Sequence, residues 1–257
     1  MGFNFFGAFI PYYGLCIVIG LVCAASLGLF LCHKKNLDVN NFIIICSYLI
    51  AFGFLGAKIL YIIVSIKLIN FKEIFSSLKS FNEFISSGFV FYGGLLGGFV
   101  ALIFVKKVHS IDIKEYLQIL APSVALAHAF GRIGCSLAGC CYGKVTSSWF
   151  CYIYKNSIVA PNNVRLVPVQ GIESACLFMF AVLFTILNLK KVKINIFILY
   201  VFLYSILRFV LEFFRGDIER GIFMNLSTSQ IISACIFICV IVYFIITKNH
   251  SSKKTVL

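Results

Sequence analysis

At 257 residues, with 61% hydrophobic and only 12% charged side chains and a mean hydropathy of +1.02, the chain carries more apolar surface than one soluble core of its size can hide. That composition excludes a soluble globular domain and makes the bilayer its solvent. The net charge of +13 falls in short clusters between apolar runs, which marks topology and argues against nucleic acid as a partner.

Seven apolar segments approach or exceed the roughly 20 residues that a helix needs to cross a bilayer: about 10–32, 41–66, 88–105, 116–138, 171–189, 194–213 and 227–247. The amino-terminal stretch MGFNFFGAFIPYYG has no Lys or Arg ahead of the first span, so that span reads as retained and not as a cleaved signal peptide. The third span is short, and the fourth carries His128 and Arg132. The expected fold is an all-α membrane protein of about seven transmembrane helices, a single domain over residues 1–257. Two long connections, about 67–87 and 141–169, are expected to form a small extracytoplasmic cap.

Orientation follows the cations. Lys34, Lys35, Lys106, Lys107, Lys114, Lys190, Lys191, Lys193, Lys248, Lys253 and Lys254 crowd the short connections of one side. Lys67, Lys72, Lys79, Lys144, Lys155, Arg165, Arg215 and Arg220 are diluted along the longer connections of the other. The dense side reads as cytoplasmic, which puts the amino terminus outside and the carboxyl terminus inside. In the first long outer connection, Phe71, Ile74, Phe75, Leu78 and Phe81 recur at helical spacing. An interfacial amphipathic segment and a plain loop with aromatics both fit.

Ionisable residues inside or beside spans are the informative ones, since placing them there is expensive unless they pair or line a polar cavity. Lys58, Arg132, Glu173, Arg208 and Glu212 are such residues. Arg208, Glu212 and Arg215 lie four and three apart, on one face of the sixth span. Two readings stand for them: a functional polar stripe facing inward, or an ion pair that pins two helices, with Arg215 snorkelling to the surface. Lys58 reads as a snorkelling residue or helix glue, and His128 as a satisfied buried histidine or a base.

The run HAFGRIGCSLAGCCYG, His128 to Gly143, ends the fourth span. Gly131, Gly134, Gly139 and Gly143 allow close backbone approach, and Arg132 supplies a forked donor suited to phosphate, so the run looks like an anion site at headgroup depth. Glycines so spaced also serve plain helix packing, the reading given to Gly93, Gly94, Gly97 and Gly98 in the third span. Cys135, Cys140, Cys141 and Cys151 match no zinc-ligand spacing, and no metal is assigned to them. Cysteines within apolar runs, such as Cys16, Cys23 and Cys46, behave as small hydrophobes.

These residues resemble the bacterial prolipoprotein diacylglyceryl transferases. The resemblance rests on GRIGC at 131–135 followed by GCCYG at 139–143, and on RFVLEFFR at 208–215. It continues through Tyr13-Gly14, FYGGLLGG at 91–98, PVQGIE at 168–173 and LSTSQ at 226–230, in the family's order over nearly the whole chain. The family implies a seven-helix enzyme of the bacterial cytoplasmic membrane with its amino terminus outside. It moves diacylglyceryl from phosphatidylglycerol to the thiol of a lipobox cysteine in a secreted precursor and releases glycerol phosphate, without metal or cofactor. Carried over, Arg132 and Arg208 hold the phosphate, Glu212 orients Arg208, and Tyr13 lines the headgroup site. The motifs extend substrate binding to Gly131, Gly134, Cys135, Gly143, Gln170, Glu173 and Arg215.

The chain departs from the family at several positions. Tyr92 stands where the family has a histidine proposed as the base, Cys135 replaces an asparagine, Cys140 a glutamate, and Val167 and Ile172 replace a histidine and a tyrosine. A tyrosine of ordinary pKa near 10 is a poor base at neutral pH. The acceptor is therefore the open element: a divergent member delivering the same lipid group elsewhere is the main alternative. A transporter or a structural membrane subunit with helix-pinning ion pairs are the readings from other classes.

Overall fold

The computed structural model describes residues 2–5, 8–67, 69–217, 222–223 and 226–254. Of the residues used above, Arg220 lies outside these, as do the side chains of Phe71, Lys72, Lys248, Lys253 and Lys254. In chain order the elements are β1 Gly2–Phe5, β2 Ala8–Pro11, α1 Tyr12–Lys34, α2 Val39–Ser65, α3 Phe71–Ile74, α4 Leu78–Ser86, α5 Phe91–Val108 and α6 Ile113–Ala138. There follow β3 Tyr152–Ile153, β4 Arg165–Leu166, α7 Val169–Leu189, α8 Ile196–Glu212, β5 Ile222–Phe223, β6 Leu226–Ser227 and α9 Thr228–Lys254. Among the described residues the strands form short antiparallel hairpins, β1 with β2, β3 with β4 and β5 with β6.

The protein is an all-helical, multi-pass membrane protein. Among the described residues, α1, α2, α5, α6, α7 and residues Thr228–Ile246 of α9 are long and apolar enough to cross a bilayer. The remaining expected span is α8, whose 17 residues rise only about 25 Å and whose last turns carry Arg208 and Glu212. Its apolar length is curtailed by the same residues that make it interesting. The first long connection contains α3 and α4, and the second contains the β3–β4 hairpin.

The chain divides into two compact units, Cys32–Tyr116 and Met1–Leu31 with Leu117–Leu257. In the smaller unit α2 and α5 pack through glycines. A Cβ at Gly93 would strike the Gly56 carbonyl oxygen, and one at Gly97 the Phe52 carbonyl oxygen. Backbones therefore touch, the arrangement small residues permit between membrane helices. Lys58 acts here as glue: its ammonium donates to the carbonyls of Phe84 and Ser87 and lies 3.9 Å from the centre of the Phe84 ring. Asp38 caps α2 by accepting from the Asn40 amide at 2.8 Å.

In the larger unit α6 is the most enclosed span, with 44% of its apolar window buried against 22% for α1. Ala121, Ala125 and Ala129 form an i, i+4 stripe that lets Leu177, Ala181 and Phe184 of α7 and Tyr200 of α8 pack close. Pro122 lies inside α6 and has no N–H to give the Gln118 carbonyl. The Asn188 side chain of α7 supplies the missing donor at 2.9 Å. Gln118 in turn accepts from the Ile196 amide at 2.6 Å and donates to the α8 cap residue Asn195 at 3.3 Å. This polar knot fixes one end of α6, α7 and α8, and so aligns the residues that emerge at their other end.

Gly97→Ala is expected to destabilise the protein by about 1–3 kcal/mol through overpacking. Gly98→Ala should be near neutral, because the nearest atom to its new methyl is Leu49 Cδ2 at 3.7 Å. Thermal unfolding in detergent, followed side by side, distinguishes the two.

Candidate active site

The faces that build the α6–α7–α8 core turn polar toward the ends of α6 and α8 and at the start of α7. On α8 the series Tyr200, Tyr204, Arg208 and Glu212 repeats every four residues; on α7 Glu173 lies one turn before Leu177; on α6 His128 and Arg132 lie three residues beyond Ala125 and Ala129. Helical spacing thus delivers these side chains to one place.

Glu173 is the centre of that place, with its side chain 1% exposed. Its Oε2 lies 3.0 Å from Arg132 Nε and 3.6 Å from Arg208 Nη1. Its Oε1 accepts from the Tyr204 hydroxyl at 3.1 Å. His128 approaches Oε1 only to 3.9 Å and packs edge-on against the Tyr204 ring. Arg208 also reaches Glu212 Oε2 at 3.0 Å and donates to Ser229 of α9 at 3.4 Å. Arg215 lies 3.6 Å from the same Glu212 oxygen and pairs with Asp217 at 2.9 Å. Three guanidinium groups and three carboxylates therefore interlock, and their formal charges cancel, which is what burial demands. Neither Arg132 Nε nor Arg208 Nη1 completes a hydrogen bond, although both are buried.

A second layer holds the loop after α6. Gly139, in the left-handed region at φ +73°, ends the helix; its amide donates to the Ser136 carbonyl, and the Cys140 amide to the Cys135 carbonyl at 3.1 Å. This is the Schellman pattern that glycine permits. Gln170, 1% exposed, donates to the Cys140 carbonyl at 2.8 Å and to the Tyr154 hydroxyl at 3.4 Å. Gly143 bridges to Arg215, with Lys144 N donating to Phe214 O at 2.8 Å and Gly216 N to Tyr142 O at 2.9 Å. A Cβ at Gly143 would strike the Val167 carbonyl oxygen. The loop thereby fixes where Arg215 begins.

The Cys135, Cys140 and Cys141 sulfurs lie within 4.8 Å of one another. Hydrogen bonds from the Cys135 and Cys140 thiols, with the nearby Arg215 and Arg132 charges, hold the Cys141 thiol below its ordinary value. Hydrogen bonds with Cys135 and Cys141, together with burial, push Cys140 up. An apolar cavity of about 510 Å³ opens between α6 and α7, lined by Ile133, Leu137, Ala175 and Phe178 among others.

The sequence profile of the prolipoprotein diacylglyceryl transferases matches residues 2–246. The chain is 38% identical over 254 residues to the phosphatidylglycerol–prolipoprotein diacylglyceryl transferase of Clostridium tetani (strain Massachusetts / E88), covering 98% of both chains. It is 36% identical to phosphatidylglycerol–prolipoprotein diacylglyceryl transferase 2 of Clostridium perfringens (strain 13 / Type A), covering 97% of this chain and 96% of that one. The chain belongs to the prolipoprotein diacylglyceryl transferase family. At 26% identity the transferase of Dehalococcoides mccartyi (strain ATCC BAA-2266 / KCTC 15142 / 195) still aligns over 95% of it.

Within this family member, the residues singled out from sequence fall into groups. Arg132, Glu173, Arg208, Glu212 and Arg215 meet in one network. Cys135 and Gln170 hold the adjoining loop, which contains Gly143. Gly134 lies against the Tyr13 ring, where a Cβ would come within 3.1 Å of Tyr13 Cδ2, while at Gly131 the nearest atom is Ile17 Cδ1 at 3.7 Å. Tyr92 opens α5 in the smaller unit, edge-on to Phe91. Sequence reasoning missed Tyr204 and the central place of Glu173. The i, i+4 ladder from Tyr200 to Glu212 was the available signal for Tyr204; the central place of Glu173 had none, since its partners come from two other helices.

Glu173→Gln is expected to lower stability by about 3–5 kcal/mol, because it leaves two buried guanidinium groups without their shared carboxylate. Glu115→Gln, which breaks the Lys35–Glu115 pair whose acidic partner is 63% exposed, should change it by about 0–1 kcal/mol. Unfolding midpoints of the two variants in one detergent check the contrast.

Proposed function

We propose that the protein transfers the diacylglyceryl group of phosphatidylglycerol to the lipobox cysteine of a prolipoprotein, in the cytoplasmic membrane of a bacterium, with the amino terminus outside. The observation that carries this reading is the convergence of Arg132 and Arg208, from separate helices, on one carboxylate oxygen. Two guanidinium groups that would repel each other are held together in a low-dielectric site by Glu173, with Arg132 Nε and Arg208 Nη1 facing its Oε2 at 3.0 and 3.6 Å without completing a hydrogen bond. An anion of high charge is the ligand for such a pair.

In the reaction a sulfur–carbon bond forms at the diacylglyceryl carbon and the carbon–oxygen bond to phosphate breaks. The phosphate passes from a monoanionic diester to glycerol phosphate with a second negative charge. Arginines already in place gain more from the product-like transition state than from the bound lipid, so they accelerate the step and do not merely bind. Glu212 and Ser229 orient Arg208, Tyr13 lines the headgroup site, and the apolar cavity between α6 and α7 suits an acyl chain. The thiol proton passes to a base, and Tyr92 occupies the family's histidine position.

The test is mass spectrometry of a lipobox peptide incubated with phosphatidylglycerol vesicles and the purified protein. A thioether-linked diacylglyceryl peptide is expected. Arg132→Ala and Arg208→Ala should each lower the rate by about 10²–10³-fold or more. Release of glycerol phosphate without peptide modification would move the assignment to a different acceptor. Absence of both products would overturn it.

A further inference from the structure

We propose that Cys135, Cys140 and Cys141 form a three-sulfur site for one thiophilic metal ion, of which Zn(II) is the probe, at the edge of the arginine network. The spacing Cys-x4-Cys-Cys matches no familiar zinc pattern, yet the fold gathers the three sulfurs within 4.8 Å of one another. Two backbone features do this. Cys135 and Cys140 occupy the two positions that a Schellman turn brings into side-chain contact, and Gly139 makes the turn possible. Consecutive residues of an extended chain point their side chains to opposite faces. Cys141 instead adopts φ +59°, a left-handed conformation that a non-glycine residue takes only when its surroundings impose it, and so its thiol returns toward the other two.

The loop that presents the sulfurs is anchored on both sides. Gln170 holds the Cys140 carbonyl at 2.8 Å, and Gly143, two residues after Cys141, is bridged to Arg215. At a Zn–S distance of about 2.3 Å, tetrahedral geometry places ligand sulfurs about 3.8 Å apart. Binding would therefore require the thiols to close by no more than about 1 Å. Three thiolates and a divalent ion leave one net negative charge beside arginines, and three protein ligands leave a fourth position open, the pattern of a reactive rather than a closed site. All three cysteines are half-buried and none is in a disulfide, so each is available to a metal ion. Binding releases the thiol protons as the sulfur–metal bonds form.

Metal binding is measured without any transferase assay. The full-length protein, purified reduced in detergent, is exposed to Zn(II), desalted and analysed for bound metal. About one equivalent is expected, with thiolate-to-metal charge-transfer absorption when Co(II) replaces Zn(II). Cys135→Ser, Cys140→Ser and Cys141→Ser should each abolish that absorption, and Cys151→Ser should retain it. In the wild-type chain Zn(II) should slow maleimide labelling of the three cysteines by about tenfold or more while leaving Cys151 unchanged; this readout needs no variant to fold. Substoichiometric zinc in the wild type, equal zinc in Cys140→Ser, or unaltered labelling of all three thiols would overturn the proposal.

Discussion

The Glu173 carboxylate, almost wholly buried, holds Arg132 from α6 and Arg208 from α8 against the same oxygen, and the rest of the site is arranged around that shared contact. Two cations brought together in a medium of low dielectric repel strongly unless an anion lies between them. An anion so buried is costly unless cations and donors surround it. Each requirement answers the other, which is why Tyr204, Arg208 and Arg132 all face Glu173 and why Glu212 and Asp217 follow for Arg215.

Such a network needs three helices aligned to within an ångström or so, and the remote end of the bundle provides the alignment. Pro122 removes a donor from α6, and Asn188 of α7 supplies one, so that a defect in one helix becomes a bond to the next. Gln118 and Asn195 extend the bond to α8. Between the two polar ends the alanine stripe of α6 allows close packing without large side chains that would spread the helices.

The loop after α6 links this network to the β3–β4 hairpin. Gly139 ends the helix, Gln170 anchors the Cys140 carbonyl, and Gly143 is tied to Arg215. One short stretch of chain thereby sets the start of the arginine-bearing segment after α8 and the convergence of three thiols. The glycines of GRIGC and GCCYG divide their work accordingly: Gly134 admits Tyr13, Gly139 turns the chain, and Gly143 lets two backbones touch.

Much of this was legible in the sequence. Apolar runs of about 20 residues must become helices in lipid, where every backbone polar group needs a partner within its own segment, so the spans lie within a few residues of their expected bounds. Ionisable residues inside those runs were conspicuous because the bilayer penalises them, and Arg132, Arg208 and Glu212 stood out for that reason. The small hairpins, the shortness of α8 as a span and the enclosure of Gln170 were not visible, since each depends on neighbours distant in the chain. By itself the sequence determined the membrane-helical class, the approximate spans, the charged residues that matter and the family. Only tertiary structure decided that Glu173 is the common partner of two arginines and that a cysteine spacing foreign to zinc sites closes into a three-sulfur cluster. Local spacing dictates which residues share a helix face, but which faces meet, and how a turn folds back, is set by packing between segments far apart in the chain.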